Sequence, residues 1–295
     1  MSKKQANFVC LFVAIVWGGG FIATDAALNT FSPFYVLAIR FSGASLISLV
    51  LCAILRCHFS WDIIKKGFVC GLCMFLAFAF QTYGLALTET GSNAFLTAVN
   101  VVLVPYVAWL VFKRRPKINA VIASVICLAG IGCLSLSEGF FRFRFGDLLS
   151  LACAFFFAAQ IVALEWAGDE DAMAINAVQM ITSALLSIPC ALLLESWPSH
   201  IGMSAIFSCI YMIAIATWLA FFLQTYAQKY TDASSASLLL CTESLWANIF
   251  GWLLLHEHKS AMMIFGGVLI FASILIVEGQ PLLEKISFKL LKTQK

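Results

Sequence analysis

"LAFAFQTYGLALTETGSNAFL" runs from Leu76 to Leu96, and "LAFFLQTYAQKYTDASSASLL" runs from Leu219 to Leu239. The two stretches align without a gap at an offset of 143 residues. Gln81, Thr82 and Tyr83 stand over Gln224, Thr225 and Tyr226, and Leu76, Ala77, Phe78, Thr88, Ser92 and Leu96 also meet identical residues. Two greasy segments match by chance at Leu and Ala; a QTY triplet in register is a much rarer coincidence. Further on, Trp109 and Leu110 meet Trp252 and Leu253. The chain therefore reads as two copies of one unit, residues 1–141 and 142–295.

What solvent surrounds the copies follows from composition. The chain is 62% hydrophobic and 11% charged, with 27 phenylalanines and a mean hydropathy of +0.96. Soluble domains are about 45–50% apolar and about 25% charged, so no aqueous fold hides this much apolar surface, and the expected solvent is a bilayer. A net charge of +3, spread along the chain, points to no nucleic-acid partner. Most of the eleven cysteines lie within apolar runs, where they act as small packing residues. Cys70 and Cys73 form a CxxC with no second pair, a weak metal or redox signal.

A spanning helix needs about 20 mostly apolar residues. Ten such spans are expected, near 7–27, 34–55, 67–87, 91–112, 118–137, 147–167, 172–194, 203–226, 233–255 and 261–279. Lys3 and Lys4 before an apolar run resemble a signal peptide. The run is long enough to span, however, and its cleavage would leave nine spans and break the repeat, so an uncleaved first helix is expected. With the N-terminus inside, fourteen Lys and Arg fall in inner segments and three, Arg142, Arg144 and Lys259, in outer loops. This bias predicts a multi-pass protein of the cytoplasmic membrane with both termini in the cytoplasm. The acidic run Asp169–Glu170–Asp171 reads as a solvated inner turn.

Five spans per copy is an odd number, so the second copy enters the membrane upside down. The expected fold class is an all-α polytopic membrane protein, ten transmembrane helices as two inverted five-helix repeats. Many secondary transporters are built this way, with the substrate site near the midplane between the repeats.

The polar residues within the spans are the candidates for that site, because an intramembrane ionisable group costs about 2.5–3.5 kcal/mol on insertion scales. Glu243 lies about ten residues from either end of span nine, and its partner in the other copy is Asn100, midway along span four. Asn93, Thr97 and Asn100 fall at i, i+4 and i+7, one helix face, and Glu89 extends that stripe. Such a stripe reads as the wall of a wet cavity, while Asn and Thr also glue membrane helices together with bonds worth about 0.6–2 kcal/mol. A buried glutamate has its charged form disfavoured. Glu243 could thus carry a proton, meet a cationic group, or hold helices together.

Gln160 and Gln179, in spans six and seven, could face the same cavity. Arg40, six residues into span two, could snorkel to the interface, pair with Asp25 or Glu89, or serve the cavity or a gate. Gln81 with Tyr83, and Gln224 with Tyr226, lie near opposite membrane faces and would suit two gates; interfacial aromatics account for the tyrosines nearly as well. Trp17 beside Gly18–Gly20, and Trp246 in span nine, could shape the cavity, the glycines permitting close approach of a backbone or ligand. Gly67 and Gly71 form a GxxxG packing face.

No GxxxxGK[ST], HExxH, nucleophile elbow or catalytic carboxylate pair occurs in the sequence. No enzyme activity, metal or cofactor is therefore expected.

Several motifs in order resemble one family. "AIVWGGGFIA", "SPFYVLAIRF", "NAFLTAVNVVLVPYVAWLVFKRRP" and "TDASSASLLLCTESLWANIFGWLLLHEH" are similar to segments of the EamA family of the drug/metabolite transporter superfamily, over nearly the whole chain. The mid-helix and terminal glutamates of its ninth helix correspond to Glu243 and Glu257. The chain departs from the family where Ser244 replaces a frequent proline and Lys113–Arg115 replaces a terminal glutamate. The resemblance implies ten helices in inverted repeats and movement of small metabolites such as amino acids, often outward. The expected function is a secondary active transporter that moves a small metabolite or amino acid, outward, by alternating access, with the lipid bilayer and protons as partners. Two alternatives remain: proton-coupled efflux of cationic drugs, and a non-transporting assembly or lipid-handling protein.

Overall fold

The structure is a computed structural model that describes residues 1–88, 93, 96–135, 144–255 and 261–278. Glu89, Arg142, Glu257 and Lys259 lie outside the described residues. Every element among those described is a helix, as a bilayer requires, since a helix satisfies its own backbone polar groups without water.

In chain order these are α1 Lys3–Leu28, α2 Pro33–Leu55, α3 Trp61–Leu87, α4 Asn100–Phe112, α5 Ile118–Ser135, α6 Phe145–Ala167, α7 Ala172–Leu194, α8 Met203–Gln228, α9 Ala233–Leu240, α10 Glu243–Leu255 and α11 Ala261–Glu278. Six of them, α1, α2, α3, α6, α7 and α8, are long and apolar enough to cross a membrane, and shorter apolar segments lie in α4, α5 and α11. The protein is thus a multi-pass membrane protein.

The sequence repeat reappears in the element bounds. α4 and α10 differ in position by 143 residues at both ends, and so do α5 and α11. The packing follows the same relation. α2 lies on α7 and α5 on α11, α3 packs against α6 and α7, and α8 packs against α1 and α2. Elements at equivalent positions in the two copies therefore meet equivalent neighbours.

Local sequence sets several helix starts. The Ser2 hydroxyl accepts from Gln5 N while Gln5 reaches back to Ser2 N, a capping box that opens α1. Pro33 sits in the first turn of α2, where its missing N–H costs nothing. The donors just behind it are taken by a carboxylate from the far end of α7. Glu195 Oε1 and Oε2 accept from Phe34 N at 3.0 and 2.9 Å, Oε2 accepts from Tyr35 N at 3.1 Å, and Tyr83 Oη donates to Oε1 at 2.7 Å. One anion ties α2, α3 and α7 together where the positive end of the α2 dipole favours it. Glu195→Ala is expected to lower the stability of the detergent-solubilised protein by about 1–2 kcal/mol, the cost of losing a helix cap. An unchanged thermal midpoint would show that this link contributes nothing.

The expected GxxxG face is borne out in detail. A Cβ on Gly67 would stand 2.6 Å from Val178 Cβ, and one on Gly71 would stand 2.7 Å from the Gln179 carbonyl. These glycines set how closely α3 and α7 approach.

The acidic turn differs from expectation. Asp171 caps α7 by accepting from Met173 N at 2.8 Å and Ala174 N at 3.4 Å, and Glu170 pairs with Lys66 at 2.8 Å. Both carboxylates hold structure rather than only facing water, because the turn sits directly on the orphan donors of a helix start.

Candidate functional site

Span nine is not one helix. Its first part, α9, ends at Leu240, the residues Cys241 and Thr242 form a turn, and α10 begins at Glu243. The equivalent turn in the first copy is Ala98–Val99, and α4 begins at Asn100. Each break is a local tightening to i→i+3 bonding rather than a gap. Thr242 N donates to Leu239 O, Ser244 N to Cys241 O and Leu245 N to Thr242 O, while Val99 N donates to Leu96 O and Val101 N to Ala98 O. Such a stretch within a helix marks a hinge or a functional position. Thr242 Oγ1 and Cys241 Sγ also donate back to the carbonyls of Leu239 and Leu238. Glu243 and Asn100 are therefore the first residues of two half-helices related by the repeat.

Both line one cavity. Its space is about 850 Å³, including the part open to solvent, and its walls come from α1, α2, α3, α4, α6, α8 and the α9–α10 break, with Asn93 beside them. Phe21, Phe78, Phe157, Phe221 and Trp17 make it aromatic; Thr24, Gln81, Thr82, Asn93, Asn100, Gln160, Gln224, Arg40 and Glu243 make it polar. Among the described residues no hydrogen bond or ion pair engages the Glu243 carboxylate. The Asn93, Asn100 and Gln224 amide oxygens are buried without a partner among those residues. An unpaired buried acceptor costs about 1–3 kcal/mol, so these groups are held in place by the fold around a polar space rather than used up by it.

Of the two placements open to it, Arg40 has the one on the cavity wall. It is 4% exposed, its Nε donates to Thr217 Oγ1 at 3.0 Å, and its guanidinium lies over the Phe78 ring at 4.2 Å. It does not snorkel to the interface, and among the described residues it pairs with no carboxylate. The reason lies in α8, which loosens into π-helical turns over Met212–Leu219. This widened stretch offers Thr217 to Arg40 and the Ala216 carbonyl to Trp17 Nε1 at 2.9 Å. Tyr211 Oη donates to Val16 O at 2.8 Å, fixing the glycine run of α1 against the start of the same stretch. Single π turns inside α-helices recur at functional sites.

The candidates divide. Trp17, Arg40, Gln81, Asn93, Asn100, Gln160, Gln224 and Glu243 line the cavity, while Gln179, Thr97, Tyr83, Tyr226 and Trp246 do not. Gln179 stands behind Gln160, accepting from its Nε2 at 3.4 Å and donating to Asn176 and Thr225. Thr97 meets Cys153 at 3.8 Å instead, and the break at Ala98–Val99 falls between it and Asn100. Tyr83 is held by Glu195. Tyr226 is 38% exposed and packs with Phe222 and Tyr230 on the outer face of α8. Trp246 packs against Gly18. Gln224, expected at a gate, donates instead to Gln160 Oε1 at 3.4 Å. Thr24, Thr82 and the phenylalanine walls went unread in the sequence, since only their depth in the bundle sets them apart from packing residues.

One end of the bundle is tied shut. Lys3 Nζ pairs with Asp232 at 2.9 Å, Thr231 Oγ1 donates to Asn7 Oδ1 at 3.0 Å, Gln228 Nε2 donates to Ile161 O at 2.9 Å, and Ala233 N donates to Glu165 Oε2 at 2.7 Å. Burial pushes the Asp232 carboxyl up, but the Lys3 ammonium and the bonds from Ser235 outweigh this and hold it below its ordinary value. The cavity residues of α1 and α3 come from the C-terminal halves of those helices, away from this end.

Comparison with known proteins agrees with this architecture. The sequence model of the EamA-like transporter family matches residues 4–136 and 144–278, one match per copy. An "Uncharacterized transporter" of Archaeoglobus fulgidus is 32% identical over 94% of this chain and 87% of its own length. The "Uncharacterized transporter YwfM" of Bacillus subtilis is 27% identical over 95% of this chain and 97% of its own. A solved crystal structure superposes with a TM-score of 0.80 at 18% identity, covering 94% of this chain and 97% of that one, which supports the fold alone. Two matched halves with a mirrored helix break in each lead to one conclusion: the chain belongs to the EamA-like transporter family.

Proposed function

We propose that this transporter is a secondary active carrier moving a small polar metabolite or amino acid by alternating access. Its ten spans would be arranged as two inverted five-helix repeats, residues 1–141 and 142–295. The observation that carries the reading is the cavity itself, in which the Glu243 carboxylate and the Arg40 guanidinium share aromatic walls with amide oxygens that have no partner among the described residues. Opposite charges in one low-dielectric space suit a small zwitterion, because each end of the cargo replaces water lost by a buried charge. Glu243 is the candidate for coupling to protons or for the cargo's ammonium. Asn100, Asn93, Gln160 and Gln224 would supply hydrogen bonds. Arg40 would disfavour a purely cationic drug, so cationic efflux is the weaker reading, and a non-transporting role gives no reason to bear the cost of these groups.

The excess of basic residues in the segments at the tied end supports a cytoplasmic placement of that end and of both termini in the inner membrane. The cavity would then face the opposite side, and outward movement would end in this state.

The test is flux in proteoliposomes of the purified protein, with a panel of labelled amino acids and other small polar metabolites, run with and without a pH gradient. Accelerated movement of a zwitterionic cargo is expected. If only cations move, the assignment of Arg40 fails; if nothing moves, the carrier reading itself fails.

A further inference from the structure

Cys241 is the first residue of the break that precedes Glu243, and it is among the residues that line the cavity. Its sulfur lies 3.1 Å from Cys127 Sγ on α5, and both side chains are buried. The two residues are 114 positions apart and belong to opposite copies. Simple packing does not account for the pair. Their equivalents at the offset of 143 are Ile270 and Ala98, both buried in the same apolar cluster, so the symmetric position is filled with no sulfur at all. The other thiols on separate helices give no comparable approach among the described residues.

The geometry points to a dithiol site at Cys127 and Cys241 that a small two-electron thiol oxidant closes into a disulfide, pinning the α9–α10 hinge to α5. Cys241 stands on the cavity wall, the side from which a reagent would approach. In the step, both S–H bonds break and one S–S bond forms. The two protons and two electrons pass to the oxidant; with a diazenedicarboxamide such as diamide, the N=N bond becomes a hydrazine. A link there would join the tightened turn at Cys241–Thr242 to α5, a helix of the other copy. The break could no longer shift on its own, and Glu243, two residues on, would lose its freedom with it. The site stands on the helix break and the sulfur geometry, whatever the cargo.

The experiment uses the full chain in detergent or nanodiscs, treated with diamide and then analysed two ways. Peptide mass spectrometry is expected to find Cys127 linked to Cys241, with the link removed by dithiothreitol. Hydrogen–deuterium exchange of amides 239–247 is expected to slow about tenfold in the oxidised protein, since local opening at the turn is suppressed. Cys127→Ala and Cys241→Ala, each folded as judged by an unchanged thermal midpoint, should show neither effect. Absence of the linked peptide while other thiols react would overturn the site. A linked peptide with unchanged exchange at 239–247 would overturn its action on the hinge. Neither result depends on finding a transported cargo.

Discussion

Glu243→Gln is expected to slow flux of the identified cargo by at least about tenfold, equivalent to about 1.4 kcal/mol, and to abolish its response to a pH gradient. Glutamine keeps the shape and much of the hydrogen-bonding capacity of glutamate but cannot ionise. The substitution therefore separates charge from packing at a residue that lines the cavity and opens α10. No group among the described residues neutralises this carboxylate, and its insertion is costly on any scale. Removing the charge should leave the fold intact or slightly stabilised, so thermal stability and flux should move independently. If the glutamine variant carries cargo as fast as the parent with the same pH response, Glu243 is neither a coupling nor a binding group. If flux and stability fall together, it is helix glue.

Gly18→Ala should strongly destabilise the protein although it adds only one methyl group. The added Cβ would lie 2.6 Å from Trp246 Cβ and 2.9 Å from Ala247 N, and the backbone of α10 cannot move aside as a flexible side chain can. α1 and α10 must separate, at a cost of about 1–3 kcal/mol for overpacking, and the seam that opens adjoins the cavity. Gly43→Ala makes a graded comparison, because the nearest atoms to its new Cβ belong to the Ile213 side chain rather than to backbone, and Gly202→Ala meets nothing within 4 Å. The expected order of loss in thermal midpoint is Gly18, then Gly43, with Gly202 unchanged. Equal effects at Gly18 and Gly202 would show that the α1–α10 contact is not tight.

Much of the fold was legible because a bilayer imposes simple rules. Long apolar runs became helices, and the offset of 143 between the QTY segments recurs at the ends of α4 and α10. Of the candidate site, Glu243 and Asn100 were readable for the same reason: polar groups stand out against an apolar background, and the repeat pairs them. For Arg40 the sequence leaves an interfacial anchor and a cavity or gate residue equally open. Counting residues gives depth along a helix but not the direction in which the side chain faces. Thr97 was grouped with the cavity by helical periodicity, which cannot anticipate a turn at Ala98–Val99, and Gln179 by its place in span seven, which cannot tell a lining amide from the one packed behind it.

The two-copy architecture, the multi-pass membrane character and the pairing of Glu243 with Asn100 were thus determined by the sequence alone, since each depends on composition, length or register, which are properties of the chain. The tertiary structure decided what register cannot express. It placed the breaks at Cys241–Thr242 and Ala98–Val99, loosened α8 at Met212–Leu219, turned Arg40 inward onto Thr217 and Phe78, and brought Cys127 to Cys241. Each of these depends on which distant side chain or carbonyl is available to satisfy a group that lipid cannot, and that is settled only when the helices pack.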